Sequence, residues 1–566
     1  MEHGAVPRGE AQGGNVADAH NTEYSAVLDR YQQLARAMLA ARRRGSPDAD
    51  NHRIPAGYTY LGQFIAHDLA FHVSRSGGPL PAAQGEAGDR TPTLDLDSLY
   101  GDGPEADPFR FRAERHSKGR WRFALSPAVS QHSRRFQIPN RAEEVVIGQP
   151  KLRIRPPTVP DADMPRSARC PAWFSEDIGE VERDGAEALV ADPRNDENLL
   201  ISQLSVLWMK LHNRVANELV AGYGQGLSKD QALSIYRCAR LLTARVYQRV
   251  ILHDYLKRLL HPDVYEALCG DEQGDPAFLL YTRDRAGVLR ERASGDRFDV
   301  PPEFWAAAFR IGHVMIRGMY WVNDKLKNRA SIVELVEQTG VDSPITPLRD
   351  NWIVDLGRYF FRTGYDGGAS DLSDGLLAPL SSGGAVREPN FSHKLGLSLV
   401  AEMGAGEDIS SGPLMKTGGL IYADLARGLT QRLATPSMKN AAEFFEMMPG
   451  LVPAGKRLSE DDIRAALSGL ARGGPDALKP ADIAALSMPQ DTPLLVYILA
   501  EAQSEMGGNG AHLGPLGSRV VGEVILAAMR TKRNWRAEAD AADAEWRMLF
   551  GGAEPPKTMP EVLNAL

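Results

Sequence analysis

Cysteine is scarce in this chain. There are three in 566 residues, Cys170, Cys238 and Cys269, odd in number and far apart. That excludes a framework of paired disulfides, a CxxC zinc pair and the CxxCH attachment site of a c-type haem. No apolar run approaches the ~18 residues of a membrane span. The opening stretch, MEHGAVPRGEAQGGNVADAH, lacks an apolar segment of signal-peptide length. These absences predict a reducing, cytoplasmic setting, with export by a leaderless route as the alternative. A basic excess is missing too. Lys and Arg number 65 against 73 Asp and Glu, a net charge of -8, which argues against nucleic acid as a partner.

What is present is helical periodicity. Hydrophobic residues make up 43% of the chain, enough for a large core. Residues 1–22 are Gly-, Ala- and polar-rich and read as a disordered tail. Residues 23–550 read as one mainly α domain with long loops and little β, and 551–566 as a C-terminal tail. The spacing of apolar residues predicts helices over about 57–72, 197–220, 229–259 and 302–320. Further helices are expected near 419–432, 439–447, 459–470, 491–505, 515–530 and 533–549. Composition predicts loops at 74–90 and 368–395, and irregular chain with a little strand over 119–170.

Four strings carry candidate chemistry. In YLGQFIAHDLAFH, Gln63 and His67 are four apart and share one helix face, whereas Asp68 points about 100° away. In RTPTLDLDSLYG, oxygen-bearing side chains recur at Thr91, Thr93, Asp95 and Asp97. That pattern suits a hard cation wanting six to eight oxygens, or a solvated turn. DPRNDENLL opens a long helix that Asn195 or Asp196 could cap, with Glu197 answering the helix dipole and Arg194 just outside. In AAAFRIGHVMIRGMYW, His313 lies within an apolar helix, as a core histidine or as an axial iron ligand.

Taken together and in this order, the strings resemble the animal-type (myeloperoxidase-like) haem peroxidase family, in its bacterial branch. GQFIAHD resembles the distal-histidine motif, TPTLDLDSLYG the calcium loop, DPRNDEN the segment of the distal arginine and haem-linking glutamate, and FRIGH the proximal helix. IYADLARGLTQRL and AHLGPLGSRVVGEVIL resemble C-terminal segments of the bacterial members. The resemblance covers roughly residues 25–530 and implies an all-helical haem peroxidase.

It also implies roles. His313 would bind the iron of haem b, with Asn440, in a stretch that departs from the animal pattern, as acceptor for its other nitrogen. Arg310 would meet a propionate or a distal-side partner. His67 would move the peroxide proton, Arg194 would stabilise developing charge, and Gln63 would hold a distal water or an anion. Asp68 with Thr91, Thr93, Asp95 and Asp97 would bind Ca²⁺. Ala66 stands where many members carry an ester-forming Asp, and Asn198 where the myeloperoxidase type carries a sulfur-linking Met. At most one covalent haem link is then expected, through Glu197.

The implied reaction is reduction of hydrogen peroxide through a ferryl intermediate, with phenols, iodide or thiocyanate as small reducing substrates. Strong chloride oxidation is not expected. The sequence does not set the oligomeric state. Two other readings are a haem fatty-acid dioxygenase, against which Arg310 stands where the radical-forming Tyr would be, and a non-catalytic haem- or calcium-binding recognition module.

Overall fold

The computed structural model describes residues 26–39, 49–69, 93–101, 103–104, 190–221, 229–271, 276–283, 289–291, 300–339, 350–360, 380–382, 385–387, 389–399, 425, 440–471, 476–488, 490–531 and 534–566, together with short strands between 111 and 182. Helices form the bulk of it, and among the described residues every strand pairs with one partner only.

Each principal helix follows its apolar spacing. α1 (26–39) buries Tyr31, Leu34, Ala35 and Met38, one stripe of an amphipathic helix. α2 (Gly57–Leu69) buries Leu61, Phe64 and Ile65. Gly62 lets it press onto the chain below, since a Cβ there would stand 2.6 Å from the Tyr255 hydroxyl. α3 (Leu199–Ala221) is buried all round in its first half and on one side thereafter. α4 (Lys229–Val250) runs beside α3 and continues through a π-turn, Ile251–Tyr255, into Leu256–Leu259. α5 (Gly312–Met315) is a short piece packed against α2. α6 (Leu494–Gln503) and α7 (Pro515–Met529) are almost wholly buried, and α8 (Trp535–Leu549) lies on α4. α9 (Met559–Asn564) closes the order.

Two buried carboxylates tie distant helices. Asp254, in the π-turn, accepts hydrogen bonds from the Tyr58 hydroxyl of α2 at 2.5 Å, Arg258 Nε at 2.7 Å and the Met559 amide at 2.8 Å. Glu501 accepts the Leu516 amide at 2.9 Å and the Gly517 amide at 3.3 Å, at the start of α7. Burial still pushes its carboxyl up to about 8.

Several expectations change. The helix predicted over 302–320 is broken into Pro302–Trp305, a 3-10 turn at Ala308–Ile311 and α5, after which Met319–Tyr320 pairs as strand with Ala330–Ser331. Ile316 turns extended, and with Gly312 and Gly318 nearby the local helix preference is weak enough for packing to override it. The supposed loop at 368–395 contains a hairpin, Leu380–Ser382 with Ala385–Arg387, and the strand Phe391–His393, which pairs with Asp50–Pro55. The supposed C-terminal tail holds α9, started by a Thr558–Glu561 capping box, and buries Met559 and Val562 fully. Each such side chain contributes about 1.5–3 kcal/mol. The expected tail at 1–22 and most of the expected 419–432 helix lie outside the described residues.

Candidate active site

The last turn of α2 presents His67 and, one turn earlier, Gln63 on one face, as their four-residue spacing requires. The buried His67 ring lies with Nδ1 2.8 Å from Asn195 Oδ1. The Asn195 amide nitrogen donates to the Ser98 carbonyl at 3.2 Å, so the amide oxygen faces the ring. Nδ1 therefore carries the proton, and Nε2 keeps its lone pair. Nε2 lies 3.9 Å from Glu197 Oε1. Burial first, then the charge of Arg194, holds the imidazole down at about 4. It is neutral at pH 7, a base with its lone pair open to the site.

Arg194 belongs to a 3-10 turn, Pro193–Asp196, that leads into α3. Asp192 caps this turn through the Arg194 amide and also grips the guanidinium, with Nε at 3.0 Å and Nη2 at 2.6 Å. A third bond runs from Nη2 to the His67 carbonyl at 2.9 Å. Asp192 is fully buried, so the charge pair is compensated in place. The helix itself is capped by Asn198, whose Oδ1 accepts the Leu200 and Ile201 amides at 3.1 and 3.0 Å. Asn195 and Asp196, the expected caps, sit inside the turn before it. Asn198 Nδ2 also donates to Gln63 Oε1 at 3.2 Å, and Gln63 Nε2 donates to Glu197. Burial pushes the Glu197 carboxyl up to about 7, partly countered by Arg194, although a third of the side chain reaches solvent.

The half-buried His313 of α5 faces this wall: its charge acts on Glu197, and that of Arg310 acts on His67. Arg310 Nε is anchored to the Trp305 carbonyl at 2.6 Å. Asn440 is a different matter. It caps the helix Ala441–Met447, accepting the Glu443 amide at 2.8 Å, and its Nδ2 meets the Glu443 carboxylate at 3.4 Å. Its polar atoms serve the cap, and no contact between Asn440 and His313 is seen among the described residues.

Asp68 turns away from the site, as its position on α2 predicts. Its two oxygens accept the Leu96 amide at 3.0 Å and the Ser98 amide at 3.2 Å. Leu96 adopts a left-handed conformation, φ 64°, to present that amide. Asp95 and Asp97 flank Arg240 Nη2 at 3.4 and 2.9 Å. Burial and the neighbouring Asp95 raise Asp68, and burial and Asp97 push Asp95 up to about 6. Thr93 bonds to Asp95, and Thr91 lies outside the described residues. Asp95 Oδ1 and Ser98 Oγ are buried without a hydrogen-bond partner. Among the described residues, no three His, Cys, Asp or Glu side chains converge to hold a metal. The charge of this loop is answered by Arg240.

The site thus brings together a buried neutral histidine, a clamped arginine and a second histidine near enough for its charge to act on Glu197, a donor set that would suit a haem. The comparisons agree. The family model for the animal haem peroxidase domain matches residues 154–353. Human thyroid peroxidase is 29% identical over 149 residues, 26% of this chain and 14% of that protein. The dog enzyme is 30% identical over 129 residues, 23% of this chain and 11% of that one.

Peroxidase A of Dictyostelium discoideum has the same fold, with a TM-score of 0.50, 15% identity, and coverage of 94% of this chain and 88% of that one. So does a fatty acid alpha-dioxygenase of Oryza sativa, at 0.50, 14%, 94% and 77%. Residues 154–353 thus match the animal haem peroxidase family, well under half of the chain, and the chain spans only a small part of the length of the curated relatives it matches; that family implies haem binding and oxidoreductase chemistry. Among the described residues, no helix is long and apolar enough to cross a membrane.

Proposed function

We propose that the chain is a haem peroxidase of the bacterial branch that reduces hydrogen peroxide and oxidises phenols, iodide or thiocyanate. The observation that carries this reading is His67, with its Nδ1 proton fixed by Asn195 and a neutral Nε2 facing the site. His313 would hold haem b through one imidazole nitrogen, and Arg310 would meet an acidic substituent of the macrocycle. When bound, the haem supplies the electrons that break the peroxide O–O bond.

The chain's own residues do the rest. His67 Nε2 takes the proton from one peroxide oxygen and returns it to the other, which leaves as water. Arg194, fixed by Asp192, stabilises the negative charge that grows on the departing oxygen and spends nothing on reorientation. Gln63 donates to Glu197 and accepts from Asn198, and it would hold a distal water or an anion. Glu197 would form the single ester link to the haem. Asp68, Thr91, Thr93, Asp95 and Asp97 would bind Ca²⁺ if Arg240 gives way. The metal content of the purified protein, with and without Asp97→Ala, checks this.

The dioxygenase reading rests on fold likeness alone, and Arg310 occupies the position that reading needs for tyrosine. Stopped-flow mixing of the haem-loaded protein with hydrogen peroxide tests the proposal. A fast Soret change that reverses on adding a phenol or iodide is expected. Haem inert to peroxide would overturn it, and oxygen uptake with a polyunsaturated fatty acid would favour the dioxygenase.

A further inference from the structure

Three buried tyrosines meet beside α2 and α5, the helices that carry the two histidines. Tyr60 lies three residues before Gln63 and seven before His67, so it shares their face of α2, about 10 Å from His67 along the helix axis. Its hydroxyl donates to the Tyr320 hydroxyl at 3.0 Å. Tyr320 follows α5, which packs against α2. Its oxygen also accepts, at 2.7 Å, the amide of Arg317, four residues beyond His313. Tyr359 stacks on Tyr320, with ring centroids 5.9 Å apart and planes at 24°. Burial holds the hydroxyls of Tyr60 and Tyr359 well above the ordinary phenol range.

We infer that Tyr320 is an internal one-electron donor to the haem site, an inference that rests on the peroxidase reading. Losing a proton alone would leave a phenolate in a desolvated pocket, which burial opposes. Losing an electron together with the proton leaves a neutral phenoxyl radical, which carries no such cost. A phenoxyl oxygen accepts hydrogen bonds and donates none, and the Tyr320 oxygen already accepts two. By contrast Tyr247, equally buried, has a hydroxyl with no hydrogen-bond partner. Tyr58 lies nine residues before His67, on the opposite face of α2, and its hydroxyl is taken by Asp254. One peroxide takes up two electrons and two protons and leaves as two waters. Tyr320 supplies one electron with its hydroxyl proton, and a phenol in solution supplies the other pair. A second phenol then returns an electron and a proton to Tyr320. With peroxide alone, the second electron is drawn from the haem and the radical accumulates.

The test is electron paramagnetic resonance of the haem-loaded full chain, frozen after mixing with hydrogen peroxide and no donor. A tyrosyl signal is expected that vanishes on adding phenol and is lost in Tyr320→Phe. In Tyr60→Phe its g-values should shift, because the radical oxygen loses one hydrogen bond. Tyr247→Phe should leave it unchanged. Should Tyr320→Phe fail to fold, the Tyr60→Phe shift decides. A tyrosyl signal that ignores both substitutions in the pair, one abolished by Tyr247→Phe, or none in a sample whose Soret band responds to peroxide would overturn the inference. A Soret band inert to peroxide would overturn the peroxidase reading and this inference with it.

Discussion

His67 sits in the last turn of a 13-residue helix and is held by a side chain 128 positions away. His313 sits in a helix of four residues, between a 3-10 turn and extended chain. The distal wall is a network in which α2, the Ser98 loop and the turn before α3 each fix a side chain of the others. The proximal piece is short and locally irregular. The contrast matches the role proposed for each position. A proton carrier must aim both ring nitrogens before anything binds. An axial ligand needs one lone pair facing inward, and the metal bond then supplies the rigidity.

Replacing the ligand should give the largest effect. His313→Ala is expected to lose stoichiometric haem, read as the Soret-to-protein absorbance ratio. A normal ratio would break the comparison at once. His67→Ala should keep haem and slow the peroxide reaction by roughly 10²–10⁴-fold in stopped flow. Parental rates would remove His67 from its role. Asn195→Ala removes the orienting partner only, so a loss of roughly 10–100-fold is expected, with the haem spectrum kept.

The pH profile sharpens the same side. His67 lies below its ordinary 6.5 when folded, so its base function and its share of stability are present above 6.5. Both are lost as pH falls through about 4. His67 itself should therefore give no step through mild acid; a step near 7 would belong to Glu197, and only a midpoint near 6.5 that persists in Glu197→Gln would mean a solvated imidazole. The smallest effect belongs to Asn440→Ala. Loss of a cap costs about 1 kcal/mol in thermal unfolding and leaves the Soret band in place. A spectral shift would return Asn440 to the proximal site.

The contrast also governs what was legible in the sequence. Gln63 and His67 share a face because of spacing within one helix, and that spacing is local information. Asn195 was visible only as a candidate cap, and the caps that form, Asp192 on Arg194 and Asn198 on Leu200 and Ile201, are local but were not picked out. The Asn195 bond to His67 and the Asn198 bond to Gln63 come from chain crossings that no period records. The break near His313 was missed because apolar residues at helical spacing outweighed Gly312 and Gly318 in the reading. Asn440 and the C-terminal helix are a different case. Asn440-x-x-Glu443 and Thr558-x-x-Glu561 are cap patterns written in the sequence. The first was read as chemistry and the second as tail.

Asp254 joins the Tyr58 hydroxyl to the Met559 amide, residues separated by most of the chain. During synthesis, the Tyr58 hydroxyl can find Asp254 long before residue 559 is made, whereas the third hydrogen bond of Asp254 waits for α9. A chain cut short before α9 would keep the tie to α2 and leave the buried carboxylate with one donor fewer.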